Sequence, residues 1–342
     1  MNEIIHGGDV YRNKVNIDFS VSINPLGCPE NVKKALEKAI PDIEKYPDIK
    51  CEKLKGALAE MLDVKEENLV IGNGSSEIFL ALAHAVKPGK TMMVIPSFYG
   101  YEYAFSNLSE NVAHYELKEE NDFMLNEDFL EVLNDDLDLL VIANPNNPTG
   151  KLIDKDLLKN IIEVCKDKNI KVVLDECFIE FAGVEHSLVK DIDSYPNLCI
   201  VRSFTKIFAI PGVRIGYAVC SDIEFVRKIN THLPEWNISA FANAAGIECT
   251  KCNDFVKESV EYVREQRNYL SLELKKLGIK VFDSDCNFIL IKDKRNLSDL
   301  LLNKGILIRN CSNFRGLSNE YYRISVKSQS ENEKLMSELA KI

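Results

Sequence analysis

The sequence predicts an α/β protein: a large unit on a mainly parallel sheet flanked by helices, with a smaller α+β unit appended. Three observations predict it. Short runs rich in Val, Ile and Leu alternate with helix-period segments through the middle of the chain. Those runs lack polar alternation, as strands do when helices cover both faces of a parallel sheet. From about residue 239 the rhythm changes to a long helix, several short strands and a final helix. At 342 residues the chain has room for two cores. The expected division is 1–40 as an N-terminal segment packing with the small unit, 41–238 as the large unit, and 239–342 as the small unit.

Each element follows from its local pattern. NVKKALEKAI (31–40) has helical spacing. NLVIG (68–72) is a strand feeding the helix SEIFLALAHAV, and TMMVIP (91–96) precedes another helix. LDLLVIAN (137–144) ends at a proline turn, and IKVVLDE (170–176) and NLCIVRSF (197–204) are further buried-strand patterns. One long amphipathic helix is expected from SAFANAAGIECTK through VREQRNYLSLELKKLG. The strands KVFD, NFILIK, ILIRN and YYRISV and the helix SENEKLMSELAKI close the chain.

Composition narrows the function classes. Hydrophobic residues make up 46% and charged ones 28%, with a net charge of -11 and no Lys/Arg-rich block, which disfavours a nucleic-acid or anionic-membrane surface. No apolar run reaches membrane-spanning length and no signal peptide is visible. Ten scattered cysteines read as reduced thiols, so a cytoplasmic protein is expected. Cys249 and Cys252 form a C-x-x-C pair in a helical pattern, without a second pair or a nearby histidine to complete a zinc site. The remaining histidines lack ligand spacing, and no metal is assigned.

In a parallel sheet, chemistry gathers beyond the carboxyl ends of the strands. Four segments fall there. GNGSSE (72–77) opens a helix, where backbone N–H groups and the hydroxyls of Ser75 and Ser76 suit a phosphate. As a dinucleotide fingerprint it fails, because Glu77 stands at the third glycine. NPNNPTG (144–150) presents Asn147 from a proline-stiffened loop, and DECF (175–178) ends a strand with Asp175. SFTKIFAIPGVR (203–214) supplies Ser203, Lys206 and Arg214. Singly each has a structural explanation: a turn, a loop, a paired acid, a surface lysine. A phosphate cradle, an acid, an amide and an amine together are what pyridoxal phosphate needs.

These motifs resemble the fold-type-I aminotransferase superfamily over nearly the whole chain, notably in NPNNPTG, in the Asp followed by S-x-T-K, and in the Arg eight residues after the Lys. The resemblance implies an aspartate-aminotransferase-like fold and pyridoxal 5'-phosphate as cofactor. It makes Lys206 the imine-forming amine, Asp175 the partner of the ring nitrogen and Asn147 the donor to the ring oxygen. Phe98 in IPSFYGYEYA takes the position of the ring-stacking aromatic, and Ser75, Ser76, Ser203 and Arg214 hold the phosphate. Tyr46 in EKYPD matches a tyrosine that reaches the neighbouring subunit's phosphate, which implies a homodimer with shared sites.

Two branches of the superfamily share NINPLG and KYPD: histidinol-phosphate aminotransferases and the L-threonine-O-3-phosphate decarboxylases of cobalamin synthesis. The HGGD start, the ILIRNCSNFRGLSNEYYRISVKS tail with Arg309 and Arg323, and Phe178 in place of a ring-bonding tyrosine favour the decarboxylases. Phe178 also reads as a simple hydrophobic substitution. If Arg309, Arg323 and His6 bind the substrate's phosphate, its carboxylate can stand upright on the ring and leave. The same grip suits histidinol phosphate, so an aminotransferase is the alternative. His6 reads equally as a solvated terminal residue. Asn24 reads either as facing substrate or as forming the turn before Pro25. A non-catalytic scaffold would be expected to lose Lys206 or Asp175, and an NAD-dependent oxidoreductase lacks its fingerprint.

Overall fold

The computed structural model describes residues 6–342; the first five, where the expected N-terminal segment begins, lie outside the described residues. Strand β1 (Ile17–Asp18) comes first. It is followed by β2 (Leu69–Gly72), β3 (Lys90–Ile95), β4 (Asn111–Glu116) and β5 (Leu139–Ala143). Next are β6 (Lys171–Asp175), β7 (Leu198–Ser203) and β8 (Gly216–Cys220). The last five are β9 (Lys280–Val281), β10 (Phe288–Lys292), β11 (Ile306–Leu307), β12 (Arg309–Asn310) and β13 (Tyr321–Ser325).

Strands β2 to β8 form a seven-stranded sheet in the order β2-β8-β7-β6-β5-β3-β4. Only β8 runs against its neighbours. The fully buried runs LVIG, LLVIA and LCIVRS account for its interior: with both faces covered, every side chain can be apolar. The chain is therefore an α/β protein of mainly parallel sheet, as its sequence predicts. A four-stranded antiparallel sheet, β12-β13-β10-β9, builds the smaller unit. Strand β1 pairs in parallel with β11, Ile17 opposite Ile306, which ties the N-terminal segment to the C-terminal part.

The helices α1 (Glu30–Lys38), α2 (Glu52–Leu62) and α3 (Ser75–Val86) precede a short α4 (Gly100–Phe105). Helix α5 (Lys155–Asp167) begins at Asp154, whose carboxylate accepts from the N–H groups of Asp156 and Leu157. The expected single helix after residue 239 is two: α6 (Ala240–Cys249) and α7 (Asn253–Lys276). The Thr250 hydroxyl turns back to the Ile247 carbonyl at 2.8 Å, and Cys252 leaves helical geometry at φ -94, ψ 37. Cys249 thus ends one helix and Cys252 precedes the next, so the C-x-x-C pair flanks a break. Sequence reading also missed β4 and β8, the first partly exposed along its length and the second opened by glycine.

Candidate active site

All the loops of interest leave the same edge of the large sheet. The parallel strands β2, β3, β5, β6 and β7 end there at Gly72, Ile95, Ala143, Asp175 and Ser203, and the opposed β8 begins there at Gly216. A cavity of about 220 Å³ opens at this edge, between the large sheet and the loops around β12 and β13. Of the residues singled out in the sequence, His6, Ser75, Ser76, Phe98, Asn147, Asp175, Phe178, Ser203, Lys206, Arg214, Arg309 and Arg323 line it.

One end suits a phosphate. Helix α3 starts there after Gly74, with no side chain capping its first N–H groups. Gly74 takes φ +81, and a Cβ on it would stand 2.5 Å from Arg214 Nη2. A Cβ on Gly216 would stand 2.7 Å from the Ser75 nitrogen. Ser203 donates to Thr205 Oγ1 at 2.6 Å, and both hydroxyls belong to the wall. Such a cradle of small residues, N–H groups and one guanidinium fits a phosphate.

At the middle of the cavity stand an amine and an acid. Burial, reinforced by Arg323, lowers Lys206 to about 8. The Lys206 Nζ lies 5.7 Å from the centroid of the Phe178 ring, which itself packs edge-on to Phe288. Burial raises Asp175, and hydrogen bonds oppose that: the Cys177 N–H donates to Oδ1 at 2.8 Å and the Tyr101 hydroxyl to Oδ2 at 2.5 Å. Asn147 Oδ1 accepts from Arg323 Nη1, so its amide Nδ2 remains as a donor.

The other end holds two buried guanidiniums. Arg309 donates to the Asn310 carbonyl and to Asn313 Oδ1, both at 2.7 Å, and lies 5.1 Å over the Phe314 ring. Arg323 donates to Asn147 and to the Ser20 carbonyl, and its Nε has no partner. Among the described residues neither has a carboxylate within ion-pairing distance. Burying a cation without an ion-pair partner is costly, so this end of the cavity suits an anion. Burial and Arg309 together lower His6, whose ring lies 6.5 Å from Phe98.

Two expectations need correction or placement. Asn24 does not line the cavity: it donates to the Ile207 carbonyl and to Ser259 Oγ, and accepts from the Leu26 N–H. Its side-chain groups are spent within its own turn and on fastening that turn to the Lys206 loop and to α7, so the substrate-facing role is withdrawn. Tyr46 stands outside its own chain's cavity, 80% exposed, with its ring 4.8 Å from Trp236.

Sequence reasoning missed Tyr101, Cys177, Thr205 and Asn313 in the wall. Tyr101 follows Phe98 by three residues at the start of α4, a spacing that could have placed both on one face. Asn313 carried no signal, because its role depends on how the loop after β12 folds back.

Comparison with known proteins gives the family and agrees with the fold. Residues 14–339 match the family model "Aminotransferase class I and II". The threonine-phosphate decarboxylase of Salmonella typhimurium is 35% identical over 330 residues, covering 95% of this chain and 91% of that protein. The crystal structure of histidinol-phosphate aminotransferase from Clostridium acetobutylicum superposes with a TM-score of 0.89 at 33% identity, over 95% of this chain and 98% of that one. That of L-threonine-O-3-phosphate decarboxylase from Porphyromonas gingivalis gives 0.86 at 26% identity, with the same coverage.

Proposed function

The chain belongs to the class I and II aminotransferase family, and from that membership we propose that it is a pyridoxal-phosphate-dependent decarboxylase of a phosphorylated amino acid, O-phosphothreonine. The observation that carries the reading is the pair of buried guanidiniums, Arg309 and Arg323, facing the wall that holds Lys206 and Asp175. A substrate's phosphate can neutralise them, which leaves its carboxylate free to stand upright on the ring and depart. The likeness to the Salmonella threonine-phosphate decarboxylase over 95% of the chain supports the same choice, and a 34% identical relative from Leptospira interrogans, named as an adenosylcobalamin biosynthesis bifunctional protein, supports a place in cobalamin synthesis.

The residues present fit the cofactor: a phosphate cradle that a Cβ would fill at one end, an acid and an amine at the middle. Ser75, Ser76, Ser203 and Arg214 would hold its phosphate, and Phe98 would pack on its ring. Asp175 would pair with the ring nitrogen, and Asn147 Nδ2 would donate to the ring oxygen. When bound, the cofactor supplies an electron sink for whichever bond at the substrate's α carbon stands perpendicular to its ring. Lys206 would hold its aldehyde carbon and, as an amine lowered to about 8, move a proton at the α carbon. Arg309, Arg323 and His6 orient the substrate through its anionic groups, which decides which bond stands upright. Phe178 leaves the ring oxygen without a phenol donor, and its edge-on contact with Phe288 keeps it in the wall.

The homodimer belongs to the same reading. Ile40, Ile43, Tyr46, Ile49 and Trp236 expose an apolar face outside the cavity, and a second copy would cover it. The division at residues 40 and 238 is part of the same proposal, supported by the change of sheet between β1 and β2 and again between β8 and β9.

The test is direct. Cofactor-loaded protein should release carbon dioxide from O-phosphothreonine and give no glutamate from histidinol phosphate plus 2-oxoglutarate. The reverse result would establish the aminotransferase instead. In the same assay Arg309→Ala should raise KM for the phosphorylated substrate while leaving cofactor absorbance intact.

A further inference from the structure

We propose that Tyr101 is a positioning residue for Asp175: its hydroxyl holds the carboxylate ionised and aimed into the cavity, at the place the cofactor's ring nitrogen would take. The inference rests on the reading that the cavity holds pyridoxal phosphate.

The geometry begins with the tyrosine itself. Tyr101 is 1% exposed and wedged edge-on between two phenylalanines. The Phe79 ring lies 5.2 Å away at 77°, and the Phe98 ring 5.7 Å away at 85°. Held on both sides, the ring cannot swing, and its hydroxyl has one target, Asp175 Oδ2 at 2.5 Å. A phenylalanine would satisfy the same apolar slot. A buried hydroxyl costs free energy unless it is bonded, so the oxygen at position 101 is accounted for by the carboxylate it meets.

From Asp175 the same contact looks different. Its side chain ends a buried strand, and the opposite oxygen is already fixed by the Cys177 N–H at 2.8 Å. With Cys177 bonded from both its N–H and its thiol and Tyr101 donating to Oδ2, the carboxylate plane is set, and lone-pair capacity remains for a cationic N–H. Losing the Tyr101 donor would favour the protonated acid in this buried setting. A neutral acid would leave the ring nitrogen without its counter-charge. Tyr101 also touches Phe98, so one side chain braces both the group expected at the ring's edge and the group expected on its face.

Tyr101→Phe keeps the ring and its packing and removes only the oxygen. The expected result is a cofactor-free protein that still folds, with a modestly lower thermal midpoint because the bond is already made there, and a dissociation constant for pyridoxal phosphate raised about tenfold, a loss in the range of one charge-assisted hydrogen bond. That constant is read by absorbance on dialysed protein, and kcat should fall in parallel. The second arm is a double-mutant cycle. Tyr101→Phe added to Asp175→Asn should weaken cofactor binding no further than Asp175→Asn alone. Wild-type affinity and kcat in Tyr101→Phe, or additive losses in the double variant, would overturn the proposal. Wild-type protein that took up no pyridoxal phosphate would overturn the parent reading and this one with it; normal uptake with an indifferent Tyr101→Phe overturns this one alone.

Discussion

Arg315 Nε stands 2.7 Å from Glu102 Oε1, and this ion pair joins the loop that carries Asn313 and Phe314 to the helix that carries Tyr101. His114 Nε2 lies 3.2 Å from the same carboxylate oxygen. Asn313 in turn accepts from Arg309, so the arginine end of the cavity is braced through its loop against the large sheet's side.

Glu102→Gln should therefore loosen the substrate end and leave the cofactor end alone. Arg315 is more than half exposed, and exposed ion pairs are worth about 0.2–1 kcal/mol. KM for the phosphorylated substrate should rise by up to about fivefold, with kcat and cofactor absorbance little changed. Steady-state kinetics checks this, and a fall in kcat at constant KM would contradict it. Exchanging the two charges, Glu102→Arg with Arg315→Glu, should recover part of the loss.

Lys206 leads to a prediction in pH. Its amine is lowered from 10.5 to about 8, first by burial and then by Arg323. Only the neutral amine is nucleophilic, and the neutral fraction rises as pH passes upward through the pKa of the folded protein. The rate at which cofactor-free protein takes up pyridoxal phosphate should thus climb between about pH 7 and 9 and level off near 9. An unperturbed lysine would still be climbing at pH 10. Stopped-flow absorbance distinguishes the two, and Arg323→Gln, which removes the second cause, should move the curve to higher pH.

Buried charge also sets stability. Glu176 and Arg202 are both buried and joined twice, by Nε at 3.0 Å and by Nη2 at 2.8 Å, with Ser187 donating to the same carboxylate oxygen at 2.7 Å. Arg202→Ala would strand Glu176 without its cation, a change that costs about 3–5 kcal/mol. Replacing both by apolar residues of similar size should cost much less. Chemical denaturation of the single and double variants measures the difference. A single variant as stable as the wild type would show that water already reaches the pair.

How much of this was legible in the sequence depends on the scale at which each interaction is encoded. Asp175 ends a strand and Lys206, Asn147 and Arg214 sit in short loops beside strand ends, and a strand–loop pattern is local information. The break between α6 and α7 was not legible, because apolar spacing continues across it while the Thr250 hydroxyl bends the chain. Asn24 misled for the same reason Tyr101 was overlooked: what each side chain does is decided by a partner far away in sequence. Asn24 meets Ser259, and Tyr101 meets Asp175. Strand β8 was hidden by its glycine start, although its antiparallel place between β2 and β7 brings Arg214 to the phosphate end.

Glu119 supplies the last prediction, on acid stability. This residue lies on the large-sheet side and accepts from Lys280 Nζ at 2.7 Å, Lys292 Nζ at 2.9 Å and the Tyr321 hydroxyl at 2.6 Å, all from the four-stranded sheet's side. Those bonds, Lys280 first, hold its carboxyl down at about 2 against an ordinary value of 4.5. Because the folded value is the lower one, the stabilisation is complete above about pH 4.5 and is lost as pH falls through 2. Glu119→Gln should therefore be less stable than the wild type at pH 7, by about 1 kcal/mol at most for partly exposed charges. The gap should close as both are acidified from pH 4.5 toward 2. Denaturation midpoints across that range test it: a gap that persists unchanged to pH 2 would mean that the glutamate's shape, and not its charge, joins the two units.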